Sequence, residues 1–306
     1  MNFRDEEKRN VRTTWLLSGT FFLVLVVAGL GLDLAFFRGH AFWVTLVVVL
    51  FGIGQGLYAY YSGTDMMLRS VEAEELDPTI SLRHRQVANV LAELCLASGL
   101  PQPPLYVQPD QAINAFAAGR DPDHAVICVT TGLIEKLERN EIAGVLGHEL
   151  AHIRNRDVLL FTVMAAFIGS VGLMAALAWR GVRGTRISRS SKNSGQIGLA
   201  LLAIAIVLWI VSWIGRFLKL AVSRSREFLA DATAVEFTRE PEGLMAALEK
   251  IKRESLETEY CAEDMAHACF VPPHFRVAGL FESHPPIEER IERLRGWQPP
   301  TPENSN

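Results

Sequence analysis

The residues whose spacing could do chemistry are His148, Glu149 and His152, in the run Gly147-His148-Glu149-Leu150-Ala151-His152. Positions four apart stack on one helix face, so both imidazoles can reach one metal ion while the carboxylate of Glu149 flanks the same point. The chemistry that suits this set is hydrolysis, with two nitrogen ligands on zinc, a water, and a carboxylate to take the water's proton. A third protein ligand is still required. The competing explanation is a chance H-E-x-x-H in an ordinary surface helix, and the surrounding residues decide between the two.

The spacing has meaning only on a helix. Asn140 to Asp157 reads as one, with Asn140 as N-cap, Glu141 in the first turn, and Ile142, Val145, Leu146, Leu150 and Ile153 forming a stripe of helical period that faces a core. The two histidines fall beside that stripe and Glu149 within it, where an unpartnered carboxylate is costly to bury. A position beside a metal site accounts for it. Ala143, Gly144, Gly147 and Ala151 are all small, and glycines inside a helix call for a packing reason, so another backbone is expected to approach there.

Downstream, Ser223-Arg224-Ser225-Arg226-Glu227-Phe228-Leu229-Ala230-Asp231-Ala232 puts Glu227 and Asp231 on one helix face. Glu227 can complete a three-ligand zinc site, and Asp231 can hold a ligand imidazole in the right tautomer. The alternative is a solvated acidic face beside an apolar one made by Phe228, Leu229, Ala232 and Val235. Further on, Ser283-His284-Pro285-Pro286 pins His284 ahead of an amphipathic helix. His267 and His274 read as ordinary loop histidines.

The elements that must position these groups form a mainly α fold with a small β-sheet. Leu82 to Ser98 has helical apolar spacing, ends at Gly99 and is expected to pack on the motif helix. Leu105-Tyr106-Val107 and Ala125 to Val129 are β-prone, Leu133 to Leu137 begins a helix, and Glu242 to Lys252 is another. Between the strands, Asn114-Ala115-Phe116-Ala117 reads either as a turn entering a short buried strand or as a substrate contact.

With 306 residues, 49% of them hydrophobic, the chain is more apolar than a soluble domain of its size. The excess lies in blocks. Trp15 to Leu32 and Ala41 to Tyr61 read as a transmembrane hairpin joined by a link holding Asp33 and Arg38, with Tyr58, Tyr60 and Tyr61 as an interfacial belt. The first block lacks a signal-peptide cleavage site. Val158 to Trp179 and Asn193 to Gly215 form a second pair, either spanning or buried as a helical hairpin in a soluble core. Since the candidate ligands lie on both sides of that pair, its crossings must be even in number. The divisions are a hairpin at 1–61, a first part of the catalytic domain at 62–157 that opens with a polar linker from Ser62 to Thr79, the second pair at 158–217, a second catalytic part at 218–297 and a disordered tail at 298–306.

Eleven Lys and Arg residues flank the spans on the side of the N-terminus and the motif, against six on the other side (Arg38, Arg180, Arg183, Arg186, Arg189 and Lys192), which puts the motif in the cytoplasm. The five charges from Arg180 to Lys192 run against the rule locally. Four cysteines without C-x-x-C spacing fit reduced thiols, and a net charge of −4 gives no sign of nucleic-acid binding.

Taken together, the N-terminal hairpin, Asn114-Ala115-Phe116-Ala117, the H-E-x-x-H motif, the apolar pair after it, Arg226-Glu227-Phe228-Leu229-Ala230-Asp231 and Ser283-His284-Pro285-Pro286 resemble the HtpX-like family of membrane-bound zinc metalloproteases, related to the CAAX prenyl endopeptidase. The resemblance covers nearly the whole chain. It implies a multi-pass membrane protein with a zincin-like metalloprotease domain, one Zn²⁺ held by His148, His152 and Glu227, and Glu149 as the catalytic base. It also implies Asn114 to Ala117 along the substrate cleft and His284 near the site, stabilising the oxyanion. The implied substrates are misfolded or damaged membrane proteins, cut on the cytoplasmic side of the cell (inner) membrane. The rivals are a catalytically silent membrane scaffold, against which the intact motif residues argue, and a prenyl-protein processing protease, for which the chain has few apolar blocks.

Overall fold

The computed structural model describes residues 42–160, Thr162, 224–254 and 285–297, together with scattered helical positions between 12 and 33. Most of the second apolar pair, His267, His274, His284 and the tail lie outside the described residues. A long helix, α1 (Trp43–Ser70), is followed by β1 (Glu74–Glu75), α2 (Leu82–Ser98), β2 (Leu105–Gln108), β3 (Ala115–Gly119), β4 (Ala125–Thr130) and α3 (Thr131–Lys136). Then come α4 (Arg139–Arg154), α5 (Arg224–Thr238), α6 (Glu242–Arg253) and α7 (Ile287–Arg295).

The four strands make one mixed sheet in the order β1-β2-β4-β3, with β2 parallel to β4 and β3 antiparallel to it, Ala117 opposite Ile127. Alternation along β3 and β4 separates two faces. Ala115, Ala117, Ile127 and Val129 join the main core under α2, α4, α5 and α6, whereas Phe116, Ala118, Val126 and Cys128 pack with Met67, Leu68 and Val71 at the end of α1. The sheet is therefore a middle layer between helices α2, α4, α5 and α6 and the end of α1.

α1 is the one helix among the described residues long and apolar enough to cross a membrane. Large apolar side chains from Trp43 to Tyr61 stand exposed along it, while Met67 and Leu68 are buried against the sheet. The polar linker expected from Ser62 does not begin there: the helix runs on to Ser70, because Met67 and Leu68 continue an apolar face that the sheet covers, and β1 takes up part of the remaining stretch. Described positions ahead of α1 pack on this helix: a Cβ on Gly52 would meet the Phe22 ring at 2.7 Å. Asp33 accepts from the Thr45 backbone N–H at 2.8 Å and from its hydroxyl at 2.6 Å, in the first turn of α1 where free N–H groups favour an anion.

The motif helix differs from expectation at both ends. It starts at Arg139 rather than at an Asn140 cap, since Glu141 accepts from the Glu138 N–H at 2.6 Å and so secures an earlier turn. It stops at Arg154, where Asn155 caps it and Arg156 takes a left-handed φ of 57°, and a new helical stretch begins at Asp157. The small face packs as expected. A Cβ on Gly144 would lie 2.5 Å from the Leu244 nitrogen, and one on Gly243 would lie 2.2 Å from the Asn140 carbonyl oxygen, so α4 and α6 cross backbone to backbone. α2 ends at Gly99 in the left-handed conformation, φ 70°, which glycine adopts without cost.

Candidate metal centre

Helix α4 supplies His148, Glu149 and His152 from a stretch in which every residue from Gly144 to Ile153 is buried. Opposite it, α5 turns its acids inward: Arg226, Glu227, Ala230, Asp231 and Ala234 are buried, while Phe228, Leu229 and Ala232 are only partly covered. The acidic face of α5, not the apolar residues beside it, is the face that meets the motif helix.

Three donors converge. Nε2 of His148 and Nε2 of His152 are 3.1 Å apart, and the carboxylate oxygens of Glu227 lie 3.6 Å from the first and 3.7 Å from the second. Ligands held tetrahedrally about 2.0 to 2.1 Å from one zinc ion stand about 3.3 Å from each other, so this triangle fits the ion with little adjustment. Glu227 and both histidines are the group of metal-capable side chains found among the described residues. The charges agree. Among the described residues, four carboxylates (Glu149, Asp157, Glu227, Asp231) and two guanidiniums (Arg226, Arg290) are buried here, two more negative charges than positive, which a divalent cation would neutralise.

Each histidine is held from behind. Nδ1 of His148 lies 2.9 Å from Oδ1 of Asp231, and Nδ1 of His152 lies 3.1 Å from Oδ2 of Asp157. When each Nδ1–H donates to its acid, the Nε2 lone pairs are left pointing at the metal position. Burial opposes charge on His152, but Asp157, then Glu227 and Glu149, outweigh it and raise its pKa to about 9. The site favours positive charge at that point, whether from a proton or a metal ion.

Three residues of the site carry no role in the motif spacing: Asp157, Arg226 and Arg290. Asp157 is the last residue of the helix that the sequence periodicity predicts, yet it starts the next helical stretch, and the Asn155–Arg156 turn is what swings it back toward His152. Arg226 stands 3.8 Å from the other oxygen of Asp157. Arg290, fully buried on α7, binds both oxygens of Asp231, Nε to Oδ2 at 2.9 Å and Nη2 to Oδ1 at 2.6 Å. Burial alone would raise the pKa of Asp231, but Arg290 and the contact with His148 overcome it and hold the group at about 2. A sequence signal for Arg290 existed: it shares the inward face of its amphipathic helix with Ile291 and Leu294, where a charge needs a partner.

Glu149 is buried beside this set, close enough for its charge to act on His152 and on Arg290. Asn114 to Ala117 enter β3, which lies beside α4 and forms the end of the sheet; among the described residues no strand pairs with its outer edge. The strand is nevertheless buried. Phe116 points to the α1 side of the sheet, away from the motif helix, because a strand sends alternate side chains to opposite faces. Asn114 is bound into the β3–β4 ladder, donating from its N–H to the Thr130 hydroxyl at 3.0 Å.

A family model described as Peptidase family M48 matches residues 81–298. A protease HtpX homolog of Thermoanaerobacter pseudethanolicus is 38% identical over 294 residues, covering 94% of this chain and 96% of that one. One of Lactobacillus acidophilus is 32% identical over 295 residues, covering 94% and 97%. The crystal structure of S. mikatae Ste24p aligns at a TM-score of 0.47 and 17% identity, over 95% of this chain and 66% of that one. The family match takes in both halves of the metal-capable triangle and the relatives run the length of the chain, so this chain belongs to peptidase family M48, as a metalloprotease of the HtpX type.

Proposed function

We propose that the protein is a membrane-bound zinc endopeptidase that cuts misfolded or damaged membrane proteins on the cytoplasmic side. The observation that carries the reading is the triangle of His148, His152 and Glu227, with Glu149 buried beside it. When bound, zinc acidifies water and polarises a carbonyl group. Glu149 takes the water's proton and returns it to the leaving amine. Asp231 and Asp157 keep the imidazoles in the tautomer that leaves Nε2 free, and Arg290 and Arg226 balance those carboxylates. The proposed cleft runs along Asn114, Ala115, Phe116 and Ala117, where the strand offers backbone groups on its outer edge; the inward turn of Phe116 speaks for a backbone rather than a side-chain contact. His284, two residues ahead of α7's N-cap Pro286, is proposed to stabilise the oxyanion.

A membrane location is supported by α1 and by the apolar blocks of the sequence, and the cytoplasmic side by the excess of Lys and Arg near the span ends. The quality-control role rests on the resemblance to the HtpX-like proteases. The test is hydrolysis of casein by protein purified in chelator and reloaded stepwise: the rate should climb until one zinc per chain is bound and then level off. Hydrolysis that chelator leaves untouched would sink the reading.

A further inference from the structure

The outer edge of β3 is mostly closed by the protein itself. In the sheet, the Ile127 N–H donates to the Pro104 carbonyl at 3.0 Å, toward β2, and the Thr130 N–H donates to the Asn114 carbonyl at 3.0 Å, toward β3. Backbone groups alternate in direction along an antiparallel pair. Asn114, Phe116 and Ala118 therefore turn theirs to β4, while Ala115, Ala117 and Gly119, opposite Val129, Ile127 and Ala125, turn theirs outward. The Ala115 N–H donates to Asn114 Oδ1 at 2.9 Å, and the Gly119 N–H donates to the Thr162 hydroxyl at 2.9 Å. Between them, about 7 Å from each along the strand, the Ala117 N–H meets no acceptor among the described residues, although Ala117 is only 3% exposed.

A buried backbone N–H is rarely left unpaired. A sheet edge that keeps one open is suited to a chain that arrives as a strand and supplies the carbonyl. We infer that β3 donates a single backbone hydrogen bond to the substrate, from the Ala117 N–H, and that Asn114 and Thr162, by closing the N–H groups on either side, fix the register of the substrate strand beside α4. The inference rests on the proteolytic reading of the site and sharpens its proposed cleft. The side chains of β3 take no part in this hold, since Ala117 packs into the main core with Ile127 and Phe116 points to the α1 side. A hold made through backbone at one residue admits many sequences, but it requires an extended segment whose carbonyl is not already bonded.

The test uses the full-length, zinc-loaded enzyme and one unstructured peptide whose cut bond has been mapped. Each of the other peptide bonds is replaced in turn by an ester, which removes the N–H and keeps the carbonyl, and by an (E)-alkene, which removes both. The extra loss with the alkene isolates the carbonyl. One bond should show an extra loss in kcat/KM of about two- to tenfold, and the bonds two residues to either side should show none. In Ala117→Pro, which deletes the outward N–H and leaves the ladder to β4 whole, that extra loss should vanish, with zinc content and melting temperature as in the wild type. Asn114→Ala frees the Ala115 N–H and should create a second extra loss two residues from the first. Two such losses already present in the wild type would overturn the inference whether or not the variants fold, as would a loss that a folded Ala117→Pro leaves in place. A peptide that the wild type does not cut at all would remove the proteolytic reading instead.

Discussion

Arg290 and Asp231, 59 residues apart in sequence, meet in a two-pronged ion pair whose bonds of 2.6 and 2.9 Å are wholly buried, and the same Asp231 oxygen that takes the shorter one faces His148 at 2.9 Å. The pair joins the C-terminal helix to a metal-capable histidine. Removing one partner leaves the other as an uncompensated buried charge, so Arg290→Ala should cost about 3 to 5 kcal/mol in stability. It should also weaken zinc binding about 10- to 100-fold. Thermal unfolding and competition with a chelating dye measure the two effects. Arg290→Ala with unchanged zinc affinity would cut the link between α7 and the metal site.

Glu149→Gln keeps the shape of the side chain and removes the base. Zinc content and melting temperature should match the wild type, while peptide hydrolysis falls by about 10²- to 10⁴-fold. Wild type and variant should be compared zinc-loaded, with chelator present until the assay so that the protein does not digest itself. Equal rates would take Glu149 out of the reaction.

Asp157→Asn and Asp231→Asn each take a negative charge from behind one imidazole. Either change should weaken zinc binding about 10- to 100-fold, with activity recovering when zinc is raised. Glu227→Ala removes a proposed ligand and should not recover at any zinc level that leaves the protein soluble. If Glu227→Ala bound zinc as well as the wild type, the third ligand would have to be another residue, with His284 first in line.

Gly144 has no room for a methyl group, since its Cβ would fall 2.5 Å from the backbone of Leu244. Gly144→Ala should therefore push α6 away from α4 and destabilise the fold by about 1 to 3 kcal/mol. Ala143→Gly, at a partly exposed site in the same helix, is the control for helix propensity and should cost only about 1 kcal/mol. Chemical denaturation of both variants decides it, and equal losses would show that the crossing yields easily.

The thiols of Cys95 and Cys128 are both pushed up by burial, that of Cys95 to about 11. At pH 8 almost no thiolate is present at either position, so iodoacetamide should label them in unfolded but not in native protein. For Cys95 labelling should appear as the pH climbs toward 11, unless unfolding comes first. Mass-spectrometric mapping of the native protein shows which outcome holds, and rapid native labelling of Cys128 at pH 8 would contradict its buried place in the sheet.

What the sequence determined by itself is what short-range periodicity encodes. Four residues make about one helical turn, so His148, Glu149 and His152 declare a shared face wherever the helix sits, and Glu227 with Asp231 does the same on α5. Short β-prone runs marked β2 and β4, and the small residues of α4 announced the close crossing with α6. What only the tertiary structure decided is which groups stand behind those faces. Asp157 reaches His152 through a left-handed turn at Arg156 that breaks the helix, and a helix-period argument carries straight through such a break. Arg290 finds Asp231 from another helix, Phe116 turns away from the motif helix because the strand register puts it on the other face, and α1 continues past Tyr61 because the sheet is there to cover Met67 and Leu68. Each of these depends on contacts between residues far apart in the chain, where the gain comes from burial and charge pairing that exist only once the elements have packed.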